Sequence, residues 1–267
     1  MFNENLLKIF FNSIIQGITE FLPISSSGHL FIINHFFSWD KMSLALIVSA
    51  HLGTLLAVIY YFWKDVKKIF FYGAMEIFKK KKSINNKLFV CLFYSSLPII
   101  FLGFIFKFYN LNNLLHPISI SFVAIIFSAI LFISDKNKKV KKLNKITFNE
   151  SIIIGLFQIF SLIPGASRAG VCISAARFLG FNKICATKYS MYLSIPTIFG
   201  ASFLIILDIL KENSLILWLE IFSIFILSFI FAFFTISYFF QLLKKFNFTI
   251  FVVYRIAFAI LVLIFFI

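Results

Sequence analysis

The stretch Gln16-Gly-Ile-Thr-Glu-Phe-Leu-Pro-Ile-Ser-Ser-Ser-Gly-His29 places a carboxylate, three serine hydroxyls and an imidazole inside an otherwise apolar run. Even on the mildest insertion scales, an ionisable group at membrane depth costs about 2.5–3.5 kcal/mol. Such a cluster persists only where it faces a cavity lined by protein, so this stretch predicts a functional site. A second polar island, Pro164-Gly-Ala-Ser-Arg-Ala-Gly170, interrupts another apolar run near mid-chain. We expect the two islands to meet.

The rest of the chain has the composition of an integral membrane protein. Of its 267 residues, 61% are hydrophobic and 13% are charged, whereas a soluble domain carries about 25% charged residues. The net charge of +15 does not indicate a nucleic-acid-binding protein, because the lysines lie in short loops between apolar runs. Such loops are typical of the cytoplasmic side of a membrane.

Six apolar segments are long enough to cross a bilayer, which takes about 20 residues. They are 44–63, 88–106, 118–134, 189–207, 215–240 and 248–267. The lysines concentrate in loop 64–87, in loop 135–145 and at residues 244–245, whereas loops 107–117 and 208–214 carry only Lys107 and Lys211. The positive-inside rule therefore places the lysine-rich loops in the cytoplasm.

Two further apolar segments, 6–37 and 148–182, are each broken by one of the polar islands. After the first break only eight residues remain, from Leu30 to Phe37. As a helix they cover about 12 Å, which cannot cross a hydrocarbon core of about 30 Å. Both segments therefore predict helical hairpins that enter the membrane and return. Broken backbone at that depth is allowed only where it is buried in protein or lines a cavity.

The order of these segments predicts the architecture. Three full spans separate the hairpins, so the first enters from outside and the second from the cytoplasm. We expect an all-α polytopic membrane protein with six full transmembrane helices and two re-entrant hairpins. Its single membrane domain, 1–267, would be an inverted-topology repeat of 1–134 and 135–267. The spacing Pro-x-x-Ser, at Pro23/Ser26 and Pro164/Ser167, supports the repeat. Alternatively, each broken segment crosses once, which gives parallel repeats.

The two breaks carry the chemistry of an anion site. Serine is a favoured N-cap, so one of Ser25–Ser27 can cap the helix after the first break and Ser167 the helix after the second. Two helix N-termini that face one cavity favour phosphate. Arg168 adds a planar guanidinium suited to phosphate oxygens. We expect substrate contacts from residues of both breaks and the helix before the first: Gln16, Ser25, Ser27, Gly28, Gly165 and Ser167.

Two residue pairs suggest specific roles. Gln16 and Glu20 are spaced i, i+4 and share one helix face. A carboxylate beside phosphate is favoured when Mg²⁺ or Ca²⁺ bridges the two, so this pair predicts a site for a divalent cation. Ser26 and His29 lie three residues apart. They predict either an activated serine nucleophile or a histidine that protonates the leaving phosphate or activates water.

Two other polar residues lie within predicted spans. His51 either lines the cavity or packs between helices, and the sequence leaves both interpretations open. Arg255 lies close to the start of the last span. We expect it to anchor that helix near the inner face of the membrane, where long cationic side chains reach the interface.

These residues resemble motifs of the undecaprenyl-diphosphate phosphatase family, also known as the bacitracin-resistance proteins. The family motif [Glu/Gln]-x-x-x-Glu matches Gln16-Gly-Ile-Thr-Glu20, and Ser-Ser-x-Gly-His matches Ser25-Ser-Ser-Gly-His29. The motif Pro-Gly-x-Ser-Arg-Ser-x-x-Thr matches Pro164-Gly-Ala-Ser-Arg-Ala-Gly-Val-Cys172. The resemblance extends to the closing Tyr254-Arg255 segment. It departs at Ala169 and Cys172, where each missing hydroxyl would weaken phosphate binding by about 1.5–3 kcal/mol.

The resemblance implies a metal-dependent enzyme of the bacterial inner membrane whose site opens towards the periplasm. The enzyme would remove the terminal phosphate of undecaprenyl diphosphate and leave the monophosphate used in cell-wall synthesis. Glu20, Ser26, His29 and Arg168 would form its catalytic centre. The expected partners are the lipid and the bilayer, with no nucleic acid, and a homodimer stays open. The rival hypotheses are a polyprenyl-phosphate transporter or flippase, a weakly active or inactive relative, and a structural membrane subunit.

Overall fold

A computed structural model describes residues 2–40, 42–80, 83–108, 116–136, 140–209 and 215–266. These residues are almost entirely helical, and among them the only β-type pairing is an isolated bridge between Lys141 and Phe181. The predicted all-α class is therefore confirmed. The helices are α1 Phe2–Thr19, α2 Ser26–Phe36, α3 Leu44–Tyr61, α4 Trp63–Val66, α5 Gly73–Phe78, α6 Ile84–Phe108, α7 Pro117–Asp135, α8 Phe148–Gln158, α9 Arg168–Phe178, α10 Lys183–Ile209, α11 Leu215–Lys245 and α12 Thr249–Phe266. A π-helical stretch, Lys67–Tyr72, joins α4 to α5, and 3₁₀ turns occupy Leu143–Lys145 and Ile159–Leu162.

Five helices in the described part of the chain are long and apolar enough to cross a membrane. They are Leu44–Tyr61, Ile84–Phe106, Pro117–Asp135, Trp218–Lys245 and Thr249–Phe266, and they confirm five of the six predicted spans. The remaining prediction, 189–207, lies within α10, and the side chains from residue 204 onwards lie outside the described ones. Several predicted loop lysines lie outside the described residues or have side chains outside them: Lys81, Lys82, Lys107, Lys138, Lys139 and Lys211.

The long helices expose large apolar side chains over their outer faces. Phe222 and Phe234 on α11 are 65% and 67% exposed, and Ile264 on α12 is 75% exposed. An aqueous surface rarely carries a contiguous apolar patch of this extent, whereas lipid accommodates it without cost. Together with the five apolar helices, this surface defines a multi-pass membrane protein.

The two predicted breaks are present, one between α1 and α2 and the other between α8 and α9. Ser25 caps α2, and its hydroxyl accepts a hydrogen bond from the Gly28 amide at 3.4 Å. Ser167 caps α9 in the same way and accepts from the Gly170 amide at 3.2 Å. The two turns are therefore equivalent at these serines. The Pro-x-x-Ser alignment, which paired Ser26 with Ser167, is wrong by one residue.

Long helices hold the broken segments in place. α1 packs against α11 and α8 packs against α6, while α7 lies against α12 and α10 contacts α3, α6 and α9. The contact of α3 with α11 depends on Gly53, because a Cβ there would collide with the carbonyl of Phe225. Small residues that let helix backbones approach are typical of helix packing in membranes. Each break is thus supported by a different long helix.

A buried ion pair joins the ends of three helices. Arg177, near the end of α9, donates from Nη2 to Oδ1 of Asp135 at the end of α7, at 2.8 Å. The other carboxylate oxygen accepts from the amide of Phe248, just before α12, at 2.9 Å. The two charged side chains are 6% and 5% exposed. Removing one partner would leave the other charge buried without its counter-ion, which is strongly destabilising.

We predict that Asp135→Ala lowers the free energy of unfolding by about 3–5 kcal/mol, because Arg177 loses its carboxylate partner. Thermal unfolding of the detergent-solubilised protein measures this effect. Asp40→Ala removes a carboxylate from an exposed position and should change stability by less than about 0.5 kcal/mol. Equal melting temperatures for the two variants would show that the ion pair does not stabilise the fold.

Candidate active site

Residues of both breaks line one cavity of about 340 Å³. The cavity lies between the two turns, α3, α6 and α10. Its polar lining consists of Glu20, Ser25, Ser26, Ser27, His51, Ser161, Ser167, Arg168, Thr197 and Ser202, and its apolar lining of Ile47, Val48, Ile99, Leu162, Ile198 and Ala201. A pocket that combines many polar side chains with several apolar ones is suited to a ligand that has a polar head and an apolar body.

Glu20 is the centre of the hydrogen-bond network, and its side chain is 6% exposed. Its Oε2 accepts from Gln16 Nε2 at 2.9 Å and from Ser26 Oγ at 2.8 Å. Its Oε1 accepts from Arg168 Nη2 at 3.0 Å, which joins the two breaks by an ion pair. A buried carboxylate is stable only when such donors surround it. Glu20 and its donors therefore form one coupled unit.

Arg168 is held in a fixed position at the start of α9. Besides Glu20, its guanidinium donates from Nη1 to the carbonyl of Ser190 at 3.2 Å. The guanidinium carbon lies 5.6 Å from the ring centroid of Phe21, a cation–π contact. Because these contacts fix the side chain, a phosphate that enters the cavity meets a preorganised planar cation.

The N-termini of α2 and α9 add a further positive potential to the cavity, which their capping serines line. Ser25 has φ 74° and Ser167 has φ 70°. This left-handed region is uncommon for residues other than glycine, and each such residue costs on the order of 1–3 kcal/mol. The strain persists only when surrounding contacts determine the turn, so both turns must be braced from outside.

Arg255 provides that brace. Its guanidinium donates from Nη1 to the Pro23 carbonyl at 3.2 Å and from Nη2 to the carbonyls of Gly165 and Ala166 at 2.9 and 3.1 Å. The residue is 1% exposed. The expectation that Arg255 anchors α12 near the inner face is therefore wrong, because it lies between the two turns and bonds both. An arginine inside an apolar span was the available signal.

His29 does not pair with Ser26. Its Nδ1 lies 2.7 Å from the Ser25 carbonyl oxygen and its Nε2 lies 2.8 Å from the Tyr254 hydroxyl. The ring stacks on Phe258 with centroids 4.2 Å apart. Both ring nitrogens thus have partners, while Ser26 donates to Glu20. The predicted serine–histidine dyad is absent from the structure.

His29 also lies outside the main cavity. With Gly28, Gly165 and Arg255 it lines a separate small space behind the two turns. Gly165 has φ 97°, and a Cβ there would meet the carbonyl of Ile120 at 2.5 Å. The two glycines thus shape the turns from behind, and their side of the turns does not face the cavity.

His51 lines the cavity, and this resolves the alternative that the sequence left open. Its Nδ1 lies 2.9 Å from Gln16 Nε2 and 3.5 Å from Glu20 Oε2. Gln16 itself stands behind Glu20. Its Oε1 is buried and has no hydrogen-bond partner among the described residues. The amide nitrogen of Gln16, and not this oxygen, contacts Glu20. Amide and carboxylate oxygens are both ligands that hard cations use.

The two departures from the family motif lie away from the cavity. Ala169 and Cys172 are both buried in α9 and neither lines the cavity. The Cys172 thiol points to Oε1 of Gln158 at 3.6 Å. A hydroxyl at these positions would therefore meet protein groups and not a ligand in the cavity.

The fold and the cavity define a class: multi-pass helical membrane proteins in which residues of two broken segments line one polar cavity. A family model described as "Bacitracin resistance protein BacA" matches residues 9–261. The chain is 39% identical over 264 residues to an undecaprenyl-diphosphatase of Pelagibacter ubique, covering 98% of both chains. It is 35% identical to the Alteromonas mediterranea protein of that name, covering 94% of this chain and 95% of the relative. For the Campylobacter curvus protein of that name, identity is 31% over 98% of this chain and all of the relative. The chain belongs to the bacitracin-resistance (BacA) family, which confirms the resemblance seen in its motifs.

We predict that Arg255→Lys lowers the rate of phosphate release at saturating substrate about tenfold, because one ammonium nitrogen cannot replace the two guanidinium nitrogens that donate to different turns, and the turns lose their relative position. Steady-state kinetics and a melting curve measure both effects. Arg177→Lys is the matched control: it changes a buried arginine at the far end of α9 and should reduce stability without reducing this rate. Equal rates for the two variants at equal stability would contradict the role of Arg255.

Proposed function

We propose that this protein hydrolyses undecaprenyl diphosphate to undecaprenyl monophosphate and inorganic phosphate. The observation that carries the proposal is the contact of Ser26, Glu20 and Arg168 at two helix N-termini that share one cavity. The chain belongs to a family whose relatives are named undecaprenyl-diphosphatase. The cavity combines polar and apolar lining, as a lipid with a charged head requires.

In the proposed mechanism the terminal phosphate binds between Arg168 and the first turns of α2 and α9. Arg168 and the helix N–H groups stabilise the charge on the phosphoryl oxygens in the transition state. These groups are fixed before the substrate binds, so little reorganisation accompanies the reaction. The leaving group is the lipid monophosphate, which keeps the second phosphate.

Ser26 supplies or positions the attacking oxygen, and Glu20 accepts its proton. Ser26 Oγ donates to Glu20 Oε2, so the carboxylate is placed to accept a proton as an oxygen attacks phosphorus. That oxygen is either Ser26 Oγ itself, which gives a phosphoserine that water then hydrolyses, or a water held by Ser26. In both versions the bond to the bridging oxygen breaks and the proton reaches Glu20. His29 supports this site by fixing the Ser25 turn.

We propose that Glu20 and Gln16 hold a divalent cation, Mg²⁺ or Ca²⁺. The described residues include no group of three or more His, Cys, Asp and Glu side chains that could hold a metal. Mg²⁺ is often bound by one carboxylate together with substrate phosphates and water, so the buried Oε1 of Gln16 beside Glu20 fits it. When bound, the cation would offset the repulsion between Glu20 and the phosphates.

We propose that the membrane architecture is an inverted repeat of 1–134 and 135–267, with α10 as the sixth crossing. The equivalent serine caps of the two turns support it. So do the lengths of α2 and α9, which have 11 residues each, about 16 Å, and are too short to cross the bilayer. The concentration of lysines in loops 64–87 and 135–145 supports our proposal that the protein lies in the bacterial inner membrane with the cavity open to the periplasm.

We predict that the purified protein in detergent with Mg²⁺ releases phosphate from undecaprenyl diphosphate. Ser26→Ala and Arg168→Ala should each lower the rate on the order of 100-fold, because they remove the proton donor to Glu20 and the fixed cation. Ser223→Ala is the control, because that hydroxyl donates to the Leu219 carbonyl on α11.

The outcome also separates the phosphatase from a transporter. A transporter or flippase shows no phosphate release in detergent, where no sidedness exists. Wild-type rates in the Arg168→Ala variant would reject the proposed site.

Single-cysteine variants in exposed positions test the inverted-repeat topology. Asp40→Cys should react with a membrane-impermeant maleimide in cells whose inner membrane is intact, because the α2–α3 connection lies outside. Lys145→Cys, in the lysine-rich loop, should react only after that membrane is permeabilised. A third single cysteine, Asn5→Cys at the exposed start of α1, should also react from outside, because both ends of the first hairpin lie there. Parallel repeats place Asn5 inside, so labelling of Asn5→Cys only after permeabilisation would exclude the inverted repeat.

A further inference from the structure

An apolar groove of about 910 Å³ runs along α6 and α10. It is lined by Leu97, Pro98, Ile100, Phe101 and Phe104 of α6 and by Phe199, Gly200 and Phe203 of α10. In contrast to the cavity, this groove has no charged or hydroxyl side chain in its lining. The residues that form it are exposed, including Phe101, Phe199 and Phe203 at 65%, 62% and 55%.

The groove and the cavity lie on opposite sides of the contact between α6 and α10, which we call the seam. Ile99 of α6 lines the cavity, and its neighbours Pro98 and Ile100 line the groove. On α10, Ala201 lines the cavity and Gly200 lines the groove. Adjacent residues of the same two helices therefore face the two spaces. The groove is continuous with the wall of the candidate active site.

Little side-chain material separates α6 from α10 at this seam. At Gly200 a Cβ would lie 3.0 Å from Cδ1 of Ile100, so the glycine is what allows α10 to approach α6 here. Both helices contain an internal proline close to the seam, Pro98 and Pro196. A proline inside a helix removes one backbone hydrogen bond and bends the helix. The two helices are therefore in close contact at Gly200, and an internal proline bends each of them near this contact.

We propose that this groove binds the polyprenyl tail of the substrate, which leaves the cavity through the α6–α10 seam. The inference rests on the proposed function. A chain of eleven isoprene units is far larger than a cavity of about 340 Å³, so most of the tail must lie outside it. The groove matches the tail in chemistry, and it is the apolar space adjoining the cavity wall.

The groove acts by orientation and not by removing the tail from water. Lipid tails are as apolar as the groove, so transfer from the bilayer into it brings no hydrophobic gain. Packing of the isoprene units that extend beyond the seam against the aromatic rings instead aligns the diphosphate with Arg168 and Ser26. A substrate whose tail ends within the seam does not depend on this alignment.

Leu97→Trp tests the proposal by filling the groove, and Leu261→Trp is its matched control. Leu97 is 40% exposed in the groove, and Leu261 is 53% exposed on α12 outside it. The kcat/KM is measured for undecaprenyl diphosphate and for the three-unit farnesyl diphosphate. Leu97→Trp should reduce kcat/KM for the long substrate by about fivefold and change the value for the short one less than about twofold. Leu261→Trp should change neither.

Equal changes for both chain lengths in Leu97→Trp, or no change for either, would overturn the proposal. A second measurement does not need a folded variant: the wild-type protein is irradiated with a polyprenyl diphosphate that carries a benzophenone on its tail. Crosslinks should concentrate in peptides that contain 97–104 and 199–203, and crosslinks spread over the lipid-facing helices would also overturn it. Crosslinking does not require hydrolysis, so absent phosphate release rejects the proposed function without deciding the tail site.

Discussion

The fold depends on the three hydrogen bonds by which Arg255 joins the carbonyls of both turns. A helix broken inside a membrane leaves backbone groups that lipid cannot satisfy, so protein must supply their partners. One guanidinium does so for both breaks at once, and it thereby fixes their relative position. The strained conformations of Ser25 and Ser167 are consistent with turns that are held from behind. The arrangement of the site follows from this one constraint.

The charges of the site explain why it favours an anion. Arg168 and the capping serines of two helix N-termini line the cavity, Arg255 lies behind the two turns, and Glu20 is the carboxylate that lines the cavity. Glu20 accepts hydrogen bonds from Gln16, Ser26 and Arg168, and these contacts hold Arg168 at the cavity wall. A phosphate competes with Glu20 for Arg168, and a cation on Glu20 and Gln16 would relieve that competition. Binding of the phosphate and binding of the cation are therefore coupled through Glu20.

The sequence predicts the helices and the convergence of the two breaks better than it predicts side-chain partners. Apolar length identifies five crossing helices in the described part of the chain, and Thr197 and Ser202 of α10 line the cavity. Spacing places Gln16 near Glu20 correctly, because i, i+4 residues meet on any helix. The Ser26–His29 pairing fails because the first turn of α2 directs Ser26 to Glu20 and His29 to Tyr254, on α12. A partner 225 residues away cannot be read from local spacing.

Arg255 is a second residue whose contacts the sequence does not predict. Its position near the end of a span suggests an interfacial anchor, and only the tertiary packing of α12 against α7 places it between the turns. The most direct test of the account is an experimental structure with an undecaprenyl diphosphate analogue whose bridging oxygen is replaced by methylene. The account predicts the terminal phosphonate within hydrogen-bond distance of the Arg168 guanidinium and the first turn of α2. An analogue bound elsewhere, with the Glu20–Arg168 ion pair still closed, would contradict it.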